Sequence, residues 1–593
     1  MQSSFRSFIV AGRCLSSRHA STHTSQKPYY ITTPIFYPNA APHIGHLYSL
    51  VAADVFARYQ RMRGRDVRFL AGTDEHGMKI QKAALKHFGT TGKEKEFCDI
   101  LSQRFKDLGQ KANISNTCFV RTSTDTHHHA VEDVWRRLYE KGYIYKGKYA
   151  GWYSVTDECF YTDAQVGPAP SSPNQYVSLE TGAAVEWSNE ENYMFRLSVF
   201  RSSLLSHVQS SETSIYPEQY REQVLGWLGS DLEDISISRP SARLSWGVPV
   251  PNDASQTVYV WFDALLIYLS GSGYPWTIPD GKIDTKKMLE SGWPANIQVV
   301  GKDILRFHSL YLPAILLALN ASPYNPSGAV SASNDLQLPL PRTLLTHAHW
   351  TSSQKKMSKS IGNVVDPMAS MEEWGVDPIR FYLLRIGGRW RGDVDWSSEQ
   401  LDKHTREISA QLGNYFLRIA SPRIAARAIP AAEDVHGGLP LDLQRLFRQN
   451  HNESKAVDPN YEQLEMSLAL PAKVVKLMDT FEAGQALAEI MEVLKHANKS
   501  ISEIEPWAKT TPPELVHATR LVGLETLRIV GVCLKPFMPE TATRLLETLD
   551  GSEGISAADK VLVDASETGL DEQEMQAFWN RWHGREIKAV KLF

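Results

Sequence analysis

His43, Gly45 and His46, in the run His43-Ile44-Gly45-His46, combine three properties that a polyanion site needs. Two imidazoles three residues apart fall on one face of a helical turn, glycine admits close approach, and the free N–H groups of a helix start favour phosphate. Alone, the tetrad reads equally well as surface histidines capping a helix. Its partner is Lys356-Met357-Ser358-Lys359-Ser360, far downstream in a Ser/Lys-rich stretch with Gly362 available for turning. That composition predicts a mobile cationic loop, in which Lys359 could meet the β- and γ-phosphates of ATP as charge builds on a transferring phosphoryl group.

Such groups need a scaffold. Tyr29-Tyr30-Ile31-Thr32-Thr33 is a β-prone run, and the segment after it, broken by Pro34, Pro38 and Pro42, reads as a loop. Leu47, Val51, Val55, Tyr59 and Met62 recur at helical spacing until Gly64, and Val67-Arg68-Phe69-Leu70-Ala71-Gly72 reads as a second strand. Strand, helix, strand is the unit of parallel sheets, which bind ligands at the carboxyl ends of their strands. Residues 146–232 read as an aromatic-rich insertion with little helical period. Strand signals return at Thr257-Val258-Tyr259-Val260-Trp261-Phe262 and Ile297-Gln298-Val299-Val300-Gly301, followed by an apolar helix near Ile304. Past residue 400 stripes such as Leu487, Ile490, Met491, Leu494, Ala497 and Ile501 predict a helical domain, with a polar surface loop over 431–465. His127, His128 and His129 read as a polar helix start, since successive helical positions diverge by about 100°.

The chain's 593 residues carry 63 Lys+Arg against 67 Asp+Glu, for a formal charge of −4, and 42% are hydrophobic. These values exclude a disordered, collagen-like or histone-like protein, so any nucleic-acid contact must be local. The five cysteines form no Cys-x-x-Cys pair. Residues 310–321 are the most apolar long stretch, but they contain Pro313 and are too short to span a bilayer, so no membrane partner is expected. Residues 1–27 hold Arg6, Arg13, Arg18 and Lys27 with many serines and no acid, which predicts a mitochondrial transit peptide and a matrix location.

The two signature segments together resemble those of the class I aminoacyl-tRNA synthetases. Pro34-Ile35-Phe36-Tyr37-Pro38-Asn39, Gly72-Thr73-Asp74-Glu75-His76-Gly77, Val260-Trp261-Phe262-Asp263-Ala264, Gly301-Lys302-Asp303-Ile304 with Phe307-His308-Ser309, and Ser360-Ile361-Gly362-Asn363 narrow the resemblance to its methionyl-tRNA synthetases, over roughly residues 28–540. The leader points to the mitochondrial members. The resemblance implies an α/β fold: a split Rossmann-type parallel-sheet catalytic domain (28–145 and 233–355), a connective insertion (146–232), a signature loop and stem-contact region (356–400), and an α-helical anticodon-binding domain (401–593). It implies activation of methionine by Mg2+-ATP and transfer to tRNA(Met), by a chain expected to be a monomer. The alternatives are a class I synthetase for another apolar amino acid, a small nucleotidyltransferase, which would need neither Asp74 nor the helical domain, and a non-catalytic RNA-binding scaffold, which would not need Lys359.

By the same resemblance, His43, Gly45, His46, Gly301, Asp303, Lys356 and Lys359 serve ATP, with His43, His46, Lys356 and Lys359 catalytic. Asp74 takes the α-ammonium of methionine, and Ile35, Tyr37, Trp261, Ala264, Leu265, Tyr268, Ile304 and His308 line its side-chain pocket. A thioether offers neither charge nor a strong hydrogen bond, so such a pocket selects by shape and sulfur–aromatic contact. Asn414, Arg418 and Trp507 are the implied anticodon readers, two polar groups for base edges and an indole for stacking. The family's zinc knuckles lack their thiolates here, since Cys159 stands alone, so no structural zinc is expected and packing of Trp152, Tyr153, Phe160, Tyr161 and Trp187 must hold the insertion together. The basic run at 585–593 has no assigned role.

Overall fold

The computed structural model describes residues 27–593 apart from 155–158, 162, 170–171, 180, 211–212, 278–282, 327–337, 358–361, 429–434, 437–438, 441–457, 559–577, 579–580, 583–584, 586 and 589. Lys359 and the leader, except its last residue, lie outside the described residues.

β1 (Tyr29–Thr32), α1 (Ile44–Met62) and β2 (Val67–Thr73) form the expected strand, helix, strand unit. Alternation along the strands divides the core: Tyr30 and Leu70 belong to one apolar cluster, while Ile31, Phe69 and Ala71 belong to another with Leu47, Val51, Val55 and Tyr59 of α1. α2 (Met78–Phe88) and α3 (Glu94–Lys111) follow, then β3 (Cys118–Arg121) and α4 (Asp125–Glu140). The parallel sheet has six strands in the order β3, β2, β1, Ile297–Gly301, Thr343–His347, Ser214–Tyr216. The order reverses beside β1, so connections leave β1 and Ile297–Gly301 in opposite directions and open a crevice at their carboxyl ends.

β4 (Ile144–Ser154) leaves this body and pairs antiparallel with Ala184–Phe195, from Ile144 opposite Phe195 to Tyr153 opposite Glu186. Trp152 and Trp187 meet edge to face at 5.3 Å, and Tyr153 and Tyr161 are buried, but Trp187 is 55% exposed. Helices Arg201–Gln209 and Glu218–Leu228 occupy a stretch expected to lack them. Between them Ser214–Tyr216, three residues long and too short to show a period, joins the main sheet.

Two sequence expectations are corrected. The run from Thr257 to Phe262 is not one strand: the strand Asp253–Val258 ends first, and Val260–Leu265 is helical. Its β-prone residues are overruled by tertiary contacts. Phe262 packs edge to face on Trp135 at 5.7 Å, and the Phe262 and Asp263 N–H groups bond to the Tyr259 carbonyl to open the helix. The polar stretch 431–465 also overruns its bounds, because helix Pro459–Asp479 begins inside it. The breakers there are start signals: Asp458 accepts from Asn460 N and Pro459 takes the first helical position.

Helices Pro459–Asp479, Ala483–Ile504 and Pro513–Leu534 form a bundle around the last of these, which is buried from Val516 through Leu534. One buried pair ties this bundle to α1. Asp54 and Arg380 are both inaccessible to solvent, 2.6 Å apart, and Arg380 also donates to the carbonyls of Ala112, Pro536 and Phe537. Burial pushes the Asp54 carboxyl up, but Arg380, Arg58 and the Ser115 hydroxyl outweigh it and hold it below the usual range. Arg380→Ala takes one of its two guanidinium partners from that buried charge and the donor from three buried carbonyls, and thermal and denaturant unfolding are expected to report a loss of about 3–5 kcal/mol. Arg63→Ala, on the half-exposed Asp479, is expected to change stability by less than about 1 kcal/mol.

Candidate active site

At the mouth of the crevice His43 and His46 cap α1 reciprocally. Gly45 N donates to His43 Nδ1 and His43 N donates to His46 Nδ1, each at 3.1 Å, and the rings stack at 3.8 Å. A Cβ on Gly45 would stand 2.9 Å from His43 Cε1, so glycine permits this cap. His46 is braced edge-on by Phe36 and Phe105, both at 5.2 Å.

The second signature segment lies beside the first. Strands Trp350–Ser352 and Lys355–Lys356 form a hairpin whose turn residues Ser353 and Gln354 have φ of 54° and 59°. Asp395 clamps the turn, accepting from Thr351 Oγ1 at 2.7 Å and Gln354 N at 2.9 Å. Met357 is buried in the core, residues 358–361 are outside the described part, and Val365, just beyond, accepts a hydrogen bond from Ile44 N at 3.1 Å. The chain beyond the signature loop is therefore anchored at the first turn of α1, and the residue before the gap is buried in the core cluster that also holds α1. Ser49, on that helix, donates to His347 Nε2 at 2.9 Å, because His347 Nδ1 is committed to the Ala348 carbonyl. Gly301 ends its strand where a Cβ would strike Asp303 Oδ1, and that oxygen is 3.1 Å from His349 Nε2.

Asp74 is 8% exposed, with its N–H bonded to the Phe36 carbonyl at 2.8 Å. Its neighbour Glu75 is held by Thr73, Ser102, Ser123 and Arg121, and the Tyr37 hydroxyl donates to the His76 carbonyl at 2.5 Å. Opposite, Trp261 and Ala264 share the half-buried face of their helix, with Tyr311 5.0 Å from Trp261, while Leu265 is buried. Ile35, Tyr37 and Ile304 are likewise half-buried at the crevice. Tyr268 and His308 form its polar corner: His308 Nδ1 donates to the Ile304 carbonyl, so Nε2 accepts from the Tyr268 hydroxyl at 2.8 Å. Burial pushes the Tyr268 hydroxyl up, with nearby Asp74 adding to the rise, and burial brings His308 down to about 4. The corner is therefore neutral.

The sequence reading gave no roles to Glu75, His76, Asp263, His127 or His349. His127 is not a polar helix start but is 1% exposed and bonded to Asp263. In the bundle, Asn414, Arg418 and Trp507 line one groove of about 500 Å3, with the Arg418 guanidinium 5.7 Å from the indole centre. Asn414 ends a π-helical turn, Ser409–Asn414, a geometry frequent at functional sites. Among the described residues no group of three or more His, Cys, Asp or Glu is disposed around a metal position, and no helix is long and apolar enough to cross a membrane. The Cys159 side chain lies outside the described part.

His347, like His308, is brought by burial to about 4. The unfolded chain takes up these protons near pH 6.5, so stability is full above that value and drains away as pH falls toward 4, by roughly 3 kcal/mol per group. Melting temperatures measured between pH 7 and 4.5 are expected to fall accordingly, and His347→Gln is expected to flatten the slope.

The family described as tRNA synthetases class I (M) matches residues 29–420. A probable mitochondrial methionine--tRNA ligase of Neurospora crassa is 40% identical, over 89% of this chain and 80% of that protein. The mitochondrial methionine--tRNA ligase of Homo sapiens is 39% identical, over 90% of this chain and 85% of that protein. The crystal structure of Mycobacterium tuberculosis methionyl-tRNA synthetase bound by methionyl-adenylate superposes with a TM-score of 0.75 at 33% identity, covering 91% of this chain and 97% of that one.

Proposed function

The chain belongs to the methionyl-tRNA synthetases of class I, and from that premise we propose how its own residues carry methionine--tRNA ligation. Methionine enters the crevice with its ammonium on Asp74 and its thioether among Ile35, Tyr37, Trp261, Ala264, Leu265, Tyr268, Ile304 and His308. Mg2+-ATP lies across Gly45, Gly301 and Asp303, its triphosphate against His43, His46, Lys356 and Lys359. The methionine carboxylate attacks the α-phosphorus in line, the bond to the bridging oxygen breaks, and pyrophosphate leaves. A ribose hydroxyl of the terminal adenosine of tRNA(Met) then attacks the activated carbonyl and AMP leaves. No covalent enzyme intermediate is formed, so the protein contributes position and charge.

The observation that supports this reading best is the Ile44–Val365 hydrogen bond, which ties the chain just beyond the second signature segment to the helix start that carries the first. Its capped N-terminus and the two imidazoles suit the triphosphate, and Lys359 lies only a few residues from Val365 along the chain. Residues 28–145 and 233–355, together with the strand Ser214–Tyr216, act as the catalytic domain, the rest of 146–232 as the connective insertion, 356–400 as the signature and stem-contact region, and 401–593 as the anticodon-binding domain. Asn414 and Arg418 read base edges there, and Trp507 stacks a base. We assign the chain to the mitochondrial matrix, directed by residues 1–27, and as a monomer. Its relatives' mitochondrial names support the compartment.

In ATP–pyrophosphate exchange across the apolar amino acids, methionine is expected to be the efficient substrate, and exchange favouring leucine or isoleucine overturns the reading. Lys359→Ala is expected to slow exchange by about 10^2-fold. Trp507→Ala is expected to leave exchange unchanged while raising KM for tRNA by an amount equivalent to about 1–3 kcal/mol.

A further inference from the structure

Asp263 sits on the helix Val260–Leu265, whose half-buried face carries Trp261 and Ala264. Its own carboxylate has no solvent exposure. His76 Nδ1 stands 2.8 Å from Oδ2 and His127 Nε2 stands 2.9 Å from Oδ1. A carboxylate donates nothing, so both rings present an N–H to it. On their far sides His76 Nε2 lies 3.3 Å from Nε2 of His128, and His127 Nδ1 lies 2.8 Å from the Ser270 hydroxyl. Burial brings His128 down to about 4, so it meets His76 uncharged. Burial also pushes the Asp263 carboxyl up, but the two imidazoles outweigh this and leave it below the ordinary range.

The network joins three parts of the crevice that are remote in sequence. His76 follows Asp74 by two residues and is also held through its carbonyl by Tyr37. Ser270 ends the short helix Ile267–Ser270 that carries Tyr268. His127 belongs to the first turn of α4, which packs behind both. Asp263 therefore bridges the loop bearing the ammonium carboxylate and the helices bearing the thioether wall. The ligand assigned above would lie across that separation, its ammonium on Asp74 and its thioether against the Trp261 face.

We propose that Asp263, braced by His76 and His127, is a positioning residue that sets this span and so lets the pocket discriminate amino acids by side-chain length. The inference rests on the assignment of Asp74 and the Trp261 face given above. An amide in place of the carboxylate can accept from only one of the two rings, so the other must change tautomer or turn away. One side of the bridge then loosens while the apolar lining keeps its shape.

The test is ATP–pyrophosphate exchange by the full chain and by Asp263→Asn, with methionine and with norvaline, whose unbranched side chain is one atom shorter. Asp263→Asn is expected to raise KM for methionine about tenfold, to leave KM for ATP within about twofold, and to reduce the methionine preference over norvaline about tenfold, because the one atom that norvaline lacks, the sulfur, fills at least a methylene's space, and a methylene is worth about that much in a tight pocket. His127→Asn, which alters the brace at a residue outside the pocket lining, is expected to lower the preference in the same direction by less, and it supplies the readout should Asp263→Asn fail to fold. Unchanged preference in a folded variant overturns the proposal, as does a parallel loss for methionine and ATP with a lowered melting temperature. Absence of methionine-dependent exchange in the unaltered chain instead overturns the functional reading itself.

Discussion

The carboxylate of Asp54, shut away from water, is the constraint on which the crevice and the helical bundle both depend. An ion in that position is tolerated only if its charge and its lone pairs are fully met. Arg380, Arg58 and the N–H and hydroxyl of Ser115 do so, each from a different place along the chain or helix. Because Arg380 spends its remaining donors on carbonyls of residues 112, 536 and 537, α1 cannot shift along its axis without breaking the whole set. The helix whose first turn opens on the crevice is thus positioned from its middle, by Arg380 and, through it, by the carbonyls of Pro536 and Phe537 in the bundle.

A second junction works by closeness instead of charge. Gly388 and Gly484 pack backbone to backbone, Gly484 N donating to the Gly388 carbonyl at 3.1 Å, and a Cβ on Gly388 would stand 2.8 Å from Gly484 N. Helix Ala483–Ile504 starts at this contact and helix Val376–Gly387 ends at it. The Arg380 junction and this one leave little freedom between the catalytic body and the bundle.

Within the crevice the same burial has opposite consequences for neighbouring groups. His308 and His347 have only carbonyl and hydroxyl partners, so desolvation keeps them neutral. Asp263 and Glu75 have donors at both oxygens, and Glu75 has the Arg121 guanidinium besides, so both stay ionised. The result is a neutral wall close to a carboxylate, Asp74, which under the function proposed above meet an uncharged side chain and an ammonium. Selectivity for such a ligand cannot come from one strong contact, and the rigidity of the frame around the pocket matters accordingly.

Local spacing was enough for the first strand, helix and strand, for the helical stripes past residue 400, and for both signature segments, because period and composition are short-range properties. It misread Tyr259 to Phe262 as strand, since those side chains favour either state and packing on Trp135 decided between them. It took His127 for a solvated helix start and passed over Asp263, Glu75 and His76 as actors. The last three stood inside quoted motifs, but nothing near them in sequence names their partners. Which carboxylate meets which imidazole, which ring nitrogen holds the proton, and that Ile44 and Val365 touch are matters of long-range closure. Residue types and intervals prescribe the elements and the chemistry available to them. Only the packed chain, where burial makes every unmatched polar group costly, decides which of those groups face one another.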